Sequence, residues 1–312
     1  METRRRRSER IPEKKVEIKK KKKHRGLKIF GLIVLFIFLI GGAIIGKAYL
    51  DVKNATTKSY QAIERKTTAK LPSLKAKTSF SFLFLGVNGK TANDILVLTV
   101  NPNQNKTTVI SLNREIYLPS EATTLKKLYA EKGTAGEIDA LQTLLGVEIP
   151  RYITFEMSGL GDFVEAVGGI QVQNSLHFVS SGYEFKPGTL SLKKADEVKA
   201  YLTKVGEDTD KAEADLIERE QTVLIAIIPK MKSVNTVANY KKFLDAFGNN
   251  IKTDFVWGNI KALGWNYNGV LGNISKDNLK PVETTIDGNV QKILSEELIN
   301  KAHDRIETAL SE

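Results

Sequence analysis

The chain has no cysteine and only three histidines among its 312 residues, and these shortages exclude several classes of protein. Without cysteine there is no disulfide framework, thiolate metal site, iron–sulfur cluster or cysteine nucleophile. His24, His177 and His303 are far apart in the sequence, which argues against a histidine metal site or a Ser-His-Asp triad. Chemistry in this chain must therefore rest on carboxylates, amides, hydroxyls and basic side chains.

Net charge is also scarce over most of the chain. The formal charge is +11, but residues 1–28 hold 14 of the 47 Lys and Arg and only 4 of the 36 Asp and Glu. The remaining residues are almost balanced, so the basic character belongs to a tail. With no helix-turn-helix pattern either, no nucleic-acid partner is expected for the body of the protein.

One long hydrophobic run follows this tail. Residues 29–46 contain no charge, and Ala48, Tyr49 and Leu50 can extend them far enough to cross the ~30 Å hydrocarbon core of a bilayer as a helix. A cleaved signal peptide would have a shorter apolar stretch ending at an A-x-A-like site. The pattern therefore predicts an uncleaved transmembrane signal anchor at 29–50.

The charges that flank the run predict its orientation. RRRR and KKKKK precede it, whereas few basic residues follow it directly. The positive-inside rule then places the tail, 1–28, in the cytoplasm and exports the rest as a single-pass cell-membrane protein. The lack of cysteine is compatible with export to a Gram-positive type of cell surface.

The exported part divides into two segments by composition. Residues 51–78 are rich in Lys, Thr, Ser and Ala and are interrupted by Pro72, which predicts a short helical continuation followed by a stalk. Residues 79–312 show no further change of composition and are expected to form one domain with a helical extension at its end.

The periodicity of residues 79–312 predicts an α/β fold with a central mixed β-sheet flanked by helices, in an α-β-α arrangement. Strands are expected at 80–85, 95–100, 107–112, 152–155 and 170–173. Helices are expected at 125–146, 160–167, 193–204, 211–231, 237–247, 255–263 and 295–310, so that the second half is mostly helical.

Three short polar segments are candidates for a site: GVNGKTAND at 86–94, SLNRE at 111–115 and EADLIEREQ at 213–221. The first two follow predicted strands, and loops at the carboxyl ends of strands are where open sheets bind ligands. Asp94, Arg114 and Arg219 are their most suggestive side chains. Taken singly, each is also an ordinary turn residue or surface charge.

Together with their setting, these segments resemble the LytR-CpsA-Psr family. The resemblance is carried, in the family's order, by FLFLGVNGKTANDILVLTVNP, TTVISLNREIYLP, LQTLLGVEIPRYITFEMSGLGDFVEAVGGIQV and PGTLSLKKADEVKAYL with IEREQTVLIAII. It implies a membrane-bound phosphotransferase of cell-wall biogenesis. Such an enzyme moves a glycopolymer, for example wall teichoic acid or capsule, from a polyprenyl (pyro)phosphate carrier onto peptidoglycan.

The resemblance also implies roles for three residues of the catalytic centre. Asp94 matches the family's aspartate at the second strand, which helps to hold Mg²⁺ or acts as a base. Arg114 matches the arginine after the third strand, and Arg219 matches the second arginine of the helix motif; both would bind the pyrophosphate. An apolar slot for the prenyl chain is expected beside them.

This sequence departs from the family's pattern at several of these positions. Asn88 stands where the family has an aspartate, so it keeps an oxygen for Mg²⁺ but lacks the charge. Lys90 and Lys204 are candidates to replace missing arginines at the pyrophosphate, as point charges. The remaining departures are Ala92, Glu115, Leu216 and Thr203.

Two functions stay open on the sequence. One is an active, divergent transferase; the other is a catalytically impaired family member that binds polyprenyl-linked substrate or a wall-synthesis partner as a scaffold or regulator. A sugar hydrolase using the carboxylates of Asp94 and Glu115 has no further support.

Overall fold

The structure is a computed structural model that describes residues 48–67, 69–206, 210–231, 237–271 and 273–311. The predicted tail, 1–28, and the predicted span, apart from its last three residues, lie outside these ranges. None of the helices in these ranges is long and apolar enough to cross a bilayer.

Strands and helices alternate along the described chain. The strands are β1 (Phe80–Asn88), β2 (Thr91–Asn101), β3 (Lys106–Leu112), β4 (Tyr117–Leu118), β5 (Thr123–Thr124), β6 (Arg151–Glu156), β7 (Ile170–Asn174), β8 (Phe178–Ser180), β9 (Tyr183–Phe185), β10 (Gly188–Leu192), β11 (Ile251–Thr253), β12 (Asn273–Leu279), β13 (Val282–Ile286) and β14 (Asn289–Ile293). The α-helices are α1 (Ala48–Ser59), α2 (Leu125–Leu145), α3 (Leu160–Ala166), α4 (Ala195–Tyr201), α5 (Asp210–Met231), α6 (Val237–Asn250), α7 (Trp257–Asn266) and α8 (Glu296–Ser311).

The central sheet has six strands in the order β11-β6-β1-β2-β3-β12. The β1–β6 and β3–β12 pairs are parallel, whereas β1–β2, β2–β3 and β6–β11 are antiparallel. The predicted mixed sheet flanked by helices is therefore confirmed.

Both faces of this sheet are covered. On β1, Phe82 and Phe84 join the core formed with α1 and α3–α7, and the alternating Leu83 and Leu85 join the core formed with α2 and α8. A strand buried on both faces is a continuous apolar run rather than an alternating one, which is why FSFLFL was readable as a strand.

The second half contains more β-structure than its pattern predicted. β12 pairs with β3 over its whole length, and the β13–β14 hairpin follows it, so the expectation of mostly helices is incomplete. The sequence of β12, NISKDNL, is polar because the strand lies at the sheet edge and buries only one of its residues. Periodicity cannot reveal such a strand.

Residues 51–78 lie against the body where they are described, although their composition predicted a stalk. Val52 on α1 is fully buried in the core shared with α6. The Gln61 backbone N–H donates to the Thr253 carbonyl at 2.8 Å, and Arg65 pairs with Asp254 at 2.7 Å. The described fold thus includes residues well before 79.

Candidate functional site

The candidate site lies at one edge of the central sheet. Because β1, β3, β6 and β12 run in the same direction, their carboxyl ends meet at this edge. Asn88 and Glu156 end β1 and β6, and Arg114 follows β3 by two residues. We call Asn88, Asn93, Asp94, Arg114 and Glu220 the carboxyl-edge cluster.

The first polar segment, 86–94, forms a tight hairpin rather than the predicted loop. β1 continues to Asn88, and the chain turns at Gly89, whose φ of +59° favours glycine. Gly86 pairs with Asp94, and a Cβ built on Gly86 would lie 2.8 Å from Asp94 Oδ2. The missing side chain of Gly86 therefore makes room for the Asp94 carboxylate over β1.

Arg114 is anchored next to Asp94. Its side chain is only 10% exposed, its Nη1 donates to Asn93 Oδ1 at 2.5 Å, and its Nε lies 3.4 Å from Glu115 Oε1. Glu115 also lies 3.6 Å from the Lys126 ammonium. The Arg114 guanidinium is thus fixed through Asn93, the neighbour of Asp94.

Glu220 on α5 was not among the candidate residues that the sequence brought forward. The residue is 2% exposed, and its Oε1 accepts a hydrogen bond of 2.8 Å from Asn88 Nδ2. Its Oε2 is buried and has no hydrogen-bond partner among the described residues. A carboxylate on the otherwise apolar face that includes Val223 and Ile227 is the signal by which periodicity could have found it.

The surroundings of Glu220 change its acidity strongly. Burial and, next, the Asp94 charge raise the Glu220 pKa to about 7, while the hydrogen bond from Asn88, the nearby amide of Asn93 and the charge of Arg219 oppose this rise. Two carboxylates close enough to perturb one another in a buried place are typical of sites that bind cations or transfer protons.

Arg219 lies beside Glu220 in sequence, but its guanidinium is directed elsewhere. Its Nη1 donates to the Tyr201 carbonyl and its Nη2 to the Thr203 carbonyl at 2.9 Å. The group also lies 5.0 Å from the Phe178 ring centroid, and the residue is 5% exposed. Burial lowers the pKa of Arg219. In this structure Arg219 therefore ties α5 to the end of α4.

Three lysines that could serve the site differ in exposure. Lys90 is exposed at the tip of the β1–β2 turn, and Lys204 is exposed after the end of α4. Lys276 on β12 is half-buried; burial lowers its pKa and the charge of Asp94 raises it. Because β12 itself was not predicted, the sequence reading did not include Lys276 among the cations near Asp94.

The oxygen atoms of the cluster suit a hard cation in kind. Asp94 and Glu220 contribute carboxylates and Asn88 an amide, and the unpartnered Glu220 Oε2 is an oxygen that a cation would satisfy. Across the described ranges there is no group of three or more Asp, Glu or His side chains arranged to hold a metal. The fit of the cluster to Mg²⁺ thus lies in the chemistry of its donors, two carboxylates and an amide.

Two clefts of the described fold lie away from this cluster. One, of about 700 Å³, is lined by residues of β3, β12 and α8, including Lys106, Glu297 and Arg305. The other, of about 240 Å³, lies between α3 and α6 and includes Glu165 and Lys242. Neither is the apolar slot that the resemblance implied.

Comparison with known proteins decides the family. The sequence model of the LytR_cpsA_psr family matches residues 47–308. The chain belongs to this family. The match includes the carboxyl-edge cluster and begins at α1, in agreement with the packing of that helix on the body.

Individual relatives cover nearly the same extent. The chain is 30% identical over 302 residues to a protein of Enterococcus faecalis named polyisoprenyl-teichoic acid–peptidoglycan teichoic acid transferase TagU, covering 92% of this chain and 99% of that protein. It resembles the crystal structure of protein gbs0355 from Streptococcus agalactiae with a TM-score of 0.60 and 26% identity, over 78% of this chain and 92% of the other. A structure described as TagT bound to LI-WTA matches with a TM-score of 0.55 at 18% identity, over 81% and 97% of the two chains, and shows the same fold.

Proposed function

We propose that this protein is an extracytoplasmic phosphotransferase that moves a glycopolymer, of which wall teichoic acid is an example, from a polyprenyl-pyrophosphate carrier onto peptidoglycan. The observation that carries the proposal is the carboxyl-edge cluster, which joins an anchored guanidinium to two acidic groups. The similarity to a teichoic acid transferase along nearly its whole length supports it.

The cluster contains the groups that phosphoryl transfer needs. A hydroxyl of peptidoglycan forms a bond to the phosphorus that bears the glycopolymer, the bond from that phosphorus to the polyprenyl phosphate breaks, and the hydroxyl proton goes to the Asp94 carboxylate. Arg114 binds the pyrophosphate through its guanidinium, and Lys276 adds positive charge beside Asp94.

The lysines at the rim and a divalent cation complete the proposed site. Lys90 and Lys204 attract the outer phosphate oxygens as point charges, because both ammonium groups are exposed. Mg²⁺ held by Asn88 and one oxygen of Asp94 would neutralise pyrophosphate charge when bound, which leaves the other Asp94 oxygen to accept the proton. Arg219 contributes by positioning α5 through the end of α4.

The proposal includes anchoring by residues 29–50 in the cell membrane, with the N-terminus in the cytoplasm and the bulk of the chain outside. A polyprenyl carrier cannot leave the bilayer, so a tethered enzyme meets it by diffusion in two dimensions. The hydrophobic length of this run and its basic flank support this location.

The test is transfer by the full-length chain in lipid nanodiscs, supplied with a polyprenyl-pyrophosphate-linked saccharide, Mg²⁺ and peptidoglycan. We expect Arg114→Ala to lower the rate of transfer at least 100-fold, since the guanidinium stabilises charge in the transition state. The matched control is Arg305→Ala, which should transfer as the wild type does. It removes a guanidinium that pairs with Asp277 and lies on α8, on the face of the sheet opposite α5. Equal rates for both variants would contradict the proposed site.

A second candidate function is binding without transfer, as a scaffold or regulator of wall synthesis. It is favoured by Asn88, which bears no charge, and by Arg219, whose terminal nitrogens donate to main-chain carbonyls. Wild-type protein that retains the labelled carrier but releases no polyprenyl phosphate would support this function instead.

A further inference from the structure

We propose that Glu220 is a ligand of a divalent cation that it shares with Asp94, and that it supplies the carboxylate which position 88 lacks in this chain. The inference deepens the proposed function and rests on it for the role of the metal. It concerns a residue outside the three that the family resemblance brought forward.

The position of Glu220 favours a bound cation. The side chain enters the carboxyl-edge cluster from α5 and is almost fully buried, so water does not solvate its carboxylate freely. One oxygen is held by Asn88 Nδ2 at 2.8 Å, and the other has no hydrogen-bond partner in the described part of the chain. A buried carboxylate oxygen without a donor is an incomplete arrangement that a cation would complete.

A second carboxylate lies at the same strand end. Asp94 pairs with Gly86 on β1, and the absent side chain of Gly86 lets its Oδ2 lie over that strand, whose last residue, Asn88, holds Glu220. Two carboxylates with an amide oxygen beside them are the donor set that Mg²⁺ and Mn²⁺ prefer. A cation shared by both would also remove the repulsion between them.

The neighbouring cations are already engaged in other contacts. The Arg219 Nη atoms donate to main-chain carbonyls, and Arg114 Nη1 donates to Asn93 Oδ1. The charge that raises the Lys276 pKa is that of Asp94, and Glu220 is not among the causes of its shift. The Arg219 charge acts on Glu220, but no described side chain donates to Glu220 Oε2. A bound cation would complete this oxygen.

Asn88 has a different role in this arrangement from a charged ligand. Its amide nitrogen donates to Glu220 Oε1, so the side chain fixes the carboxylate and turns its own oxygen away from that bond. In this chain Asn88 therefore positions the Glu220 carboxylate, and Glu220 supplies the negative charge.

The test is direct binding of Mn²⁺ to the purified full-length chain without any substrate, with free Mn²⁺ counted by electron paramagnetic resonance. We expect the wild type to bind one ion at the cluster and Glu220→Gln and Asp94→Asn each to weaken that binding at least tenfold. Glu283→Gln, the same change at an exposed position on β13, is the matched control and should bind as the wild type does. Mg²⁺ should displace the bound Mn²⁺.

Two further readouts keep the outcome clear. Circular dichroism establishes that Glu220→Gln is folded, and Glu220→Asp, which keeps a carboxylate, should bind Mn²⁺ more tightly than Glu220→Gln does. Unchanged Mn²⁺ affinity in folded Glu220→Gln, or no binding by the wild type, would overturn the inference. Binding that depends on Glu220 in a protein without transfer activity would refute only the proposed function, and transfer with binding that ignores Glu220 would refute only this inference.

Discussion

Glu137 and Glu220 are both buried glutamates, yet their surroundings differ. Glu137 on α2 is fully buried in the core between the sheet, α2 and α8, and burial alone is the main reason that its pKa is raised well above the ordinary value. Neither of its oxygens accepts a hydrogen bond of ordinary geometry. Glu220 has, in addition, Asp94, Asn88 and Asn93 around it.

Burial of a charge does not by itself define a site. At the carboxyl edge, several strands end together and bring groups of both signs to one buried carboxylate. Around Glu137 on α2, no second charged side chain contributes to the pKa shift that burial causes. Convergence of independent elements distinguishes the two places.

Arg219→Ala tests whether a buried charge outside the cluster serves stability, and we expect the largest effect from this variant. The variant leaves the Tyr201 and Thr203 carbonyls without their donor and removes a cation stacked on Phe178. The free energy of unfolding should fall by about 3 kcal/mol, measured by urea denaturation followed by tryptophan fluorescence.

Arg305→Ala is the control for that experiment, because its ion pair with Asp277 is partly exposed and should contribute about 1 kcal/mol or less. If Arg219→Ala were as stable as the wild type, the buried guanidinium would not be structural, and Arg219 would belong with the site after all.

Asp94→Asn tests whether the carboxyl-edge cluster is the place of reaction. The variant removes the proposed proton acceptor and should lower the transfer rate about 100-fold, equal to about 2.7 kcal/mol in the barrier. Circular dichroism and urea denaturation should show little change in folding, since asparagine has nearly the same shape. A rate within threefold of the wild type would show that the cluster is not the place of reaction.

Glu137→Met should stabilise the protein at neutral pH without affecting transfer. Because the Glu137 pKa is higher in the folded than in the unfolded chain, the unfolded chain ionises first as the pH rises, and the folded state loses stability above about pH 4.5. The gain of Glu137→Met should therefore be about 1–3 kcal/mol at pH 7.5 and smaller at pH 4.5, measured by urea denaturation.

Two outcomes would contradict this prediction. A gain of equal size at both pH values would mean that Glu137 does not ionise differently in the two states. A loss of transfer in a folded Glu137→Met protein would show that Glu137 takes part in the function.

Gly86→Ala should produce the smallest effect, a transfer rate about tenfold lower with unfolding free energy changed by less than about 1 kcal/mol. The new methyl group would lie 2.8 Å from Asp94 Oδ2, so the carboxylate must move while the strand stays intact. Gly258→Ala on α7, where an added Cβ meets nothing within 4 Å, is the matched control. Equal transfer rates would show that the position of the Asp94 carboxylate over β1 is unimportant.

Much of the fold could be predicted from the sequence. The strands β1, β2, β3 and β6 are apolar runs, and α2 ends within one residue of the predicted 146, because Gly146, with a φ of +64° and an N–H bond to the Gln142 carbonyl, forms its C-cap. The polar edge strand β12 could not be predicted, because its pairing with β3 and not its side chains makes it a strand.

The candidate site was predicted only in part. Asn88 and Arg114 were readable because they follow apolar runs at strand ends, and Asp94 because it directly precedes the next apolar run. The roles of Arg219 and Glu220 were not: adjacent residues on a helix point about 100° apart, and only packing fixes which of them meets the cluster. Lys276 depended on a strand that was not predicted.

The sequence by itself determined the sheet-forming runs, the basic and hydrophobic N-terminal segments and the family, since these depend on the local order of residue types. Only the tertiary structure decided that α1 packs on the body, that Arg219 holds main-chain carbonyls and that Glu220 meets Asp94. These are contacts between residues far apart in the chain, and their geometry is set by which faces the packed helices and strands bury.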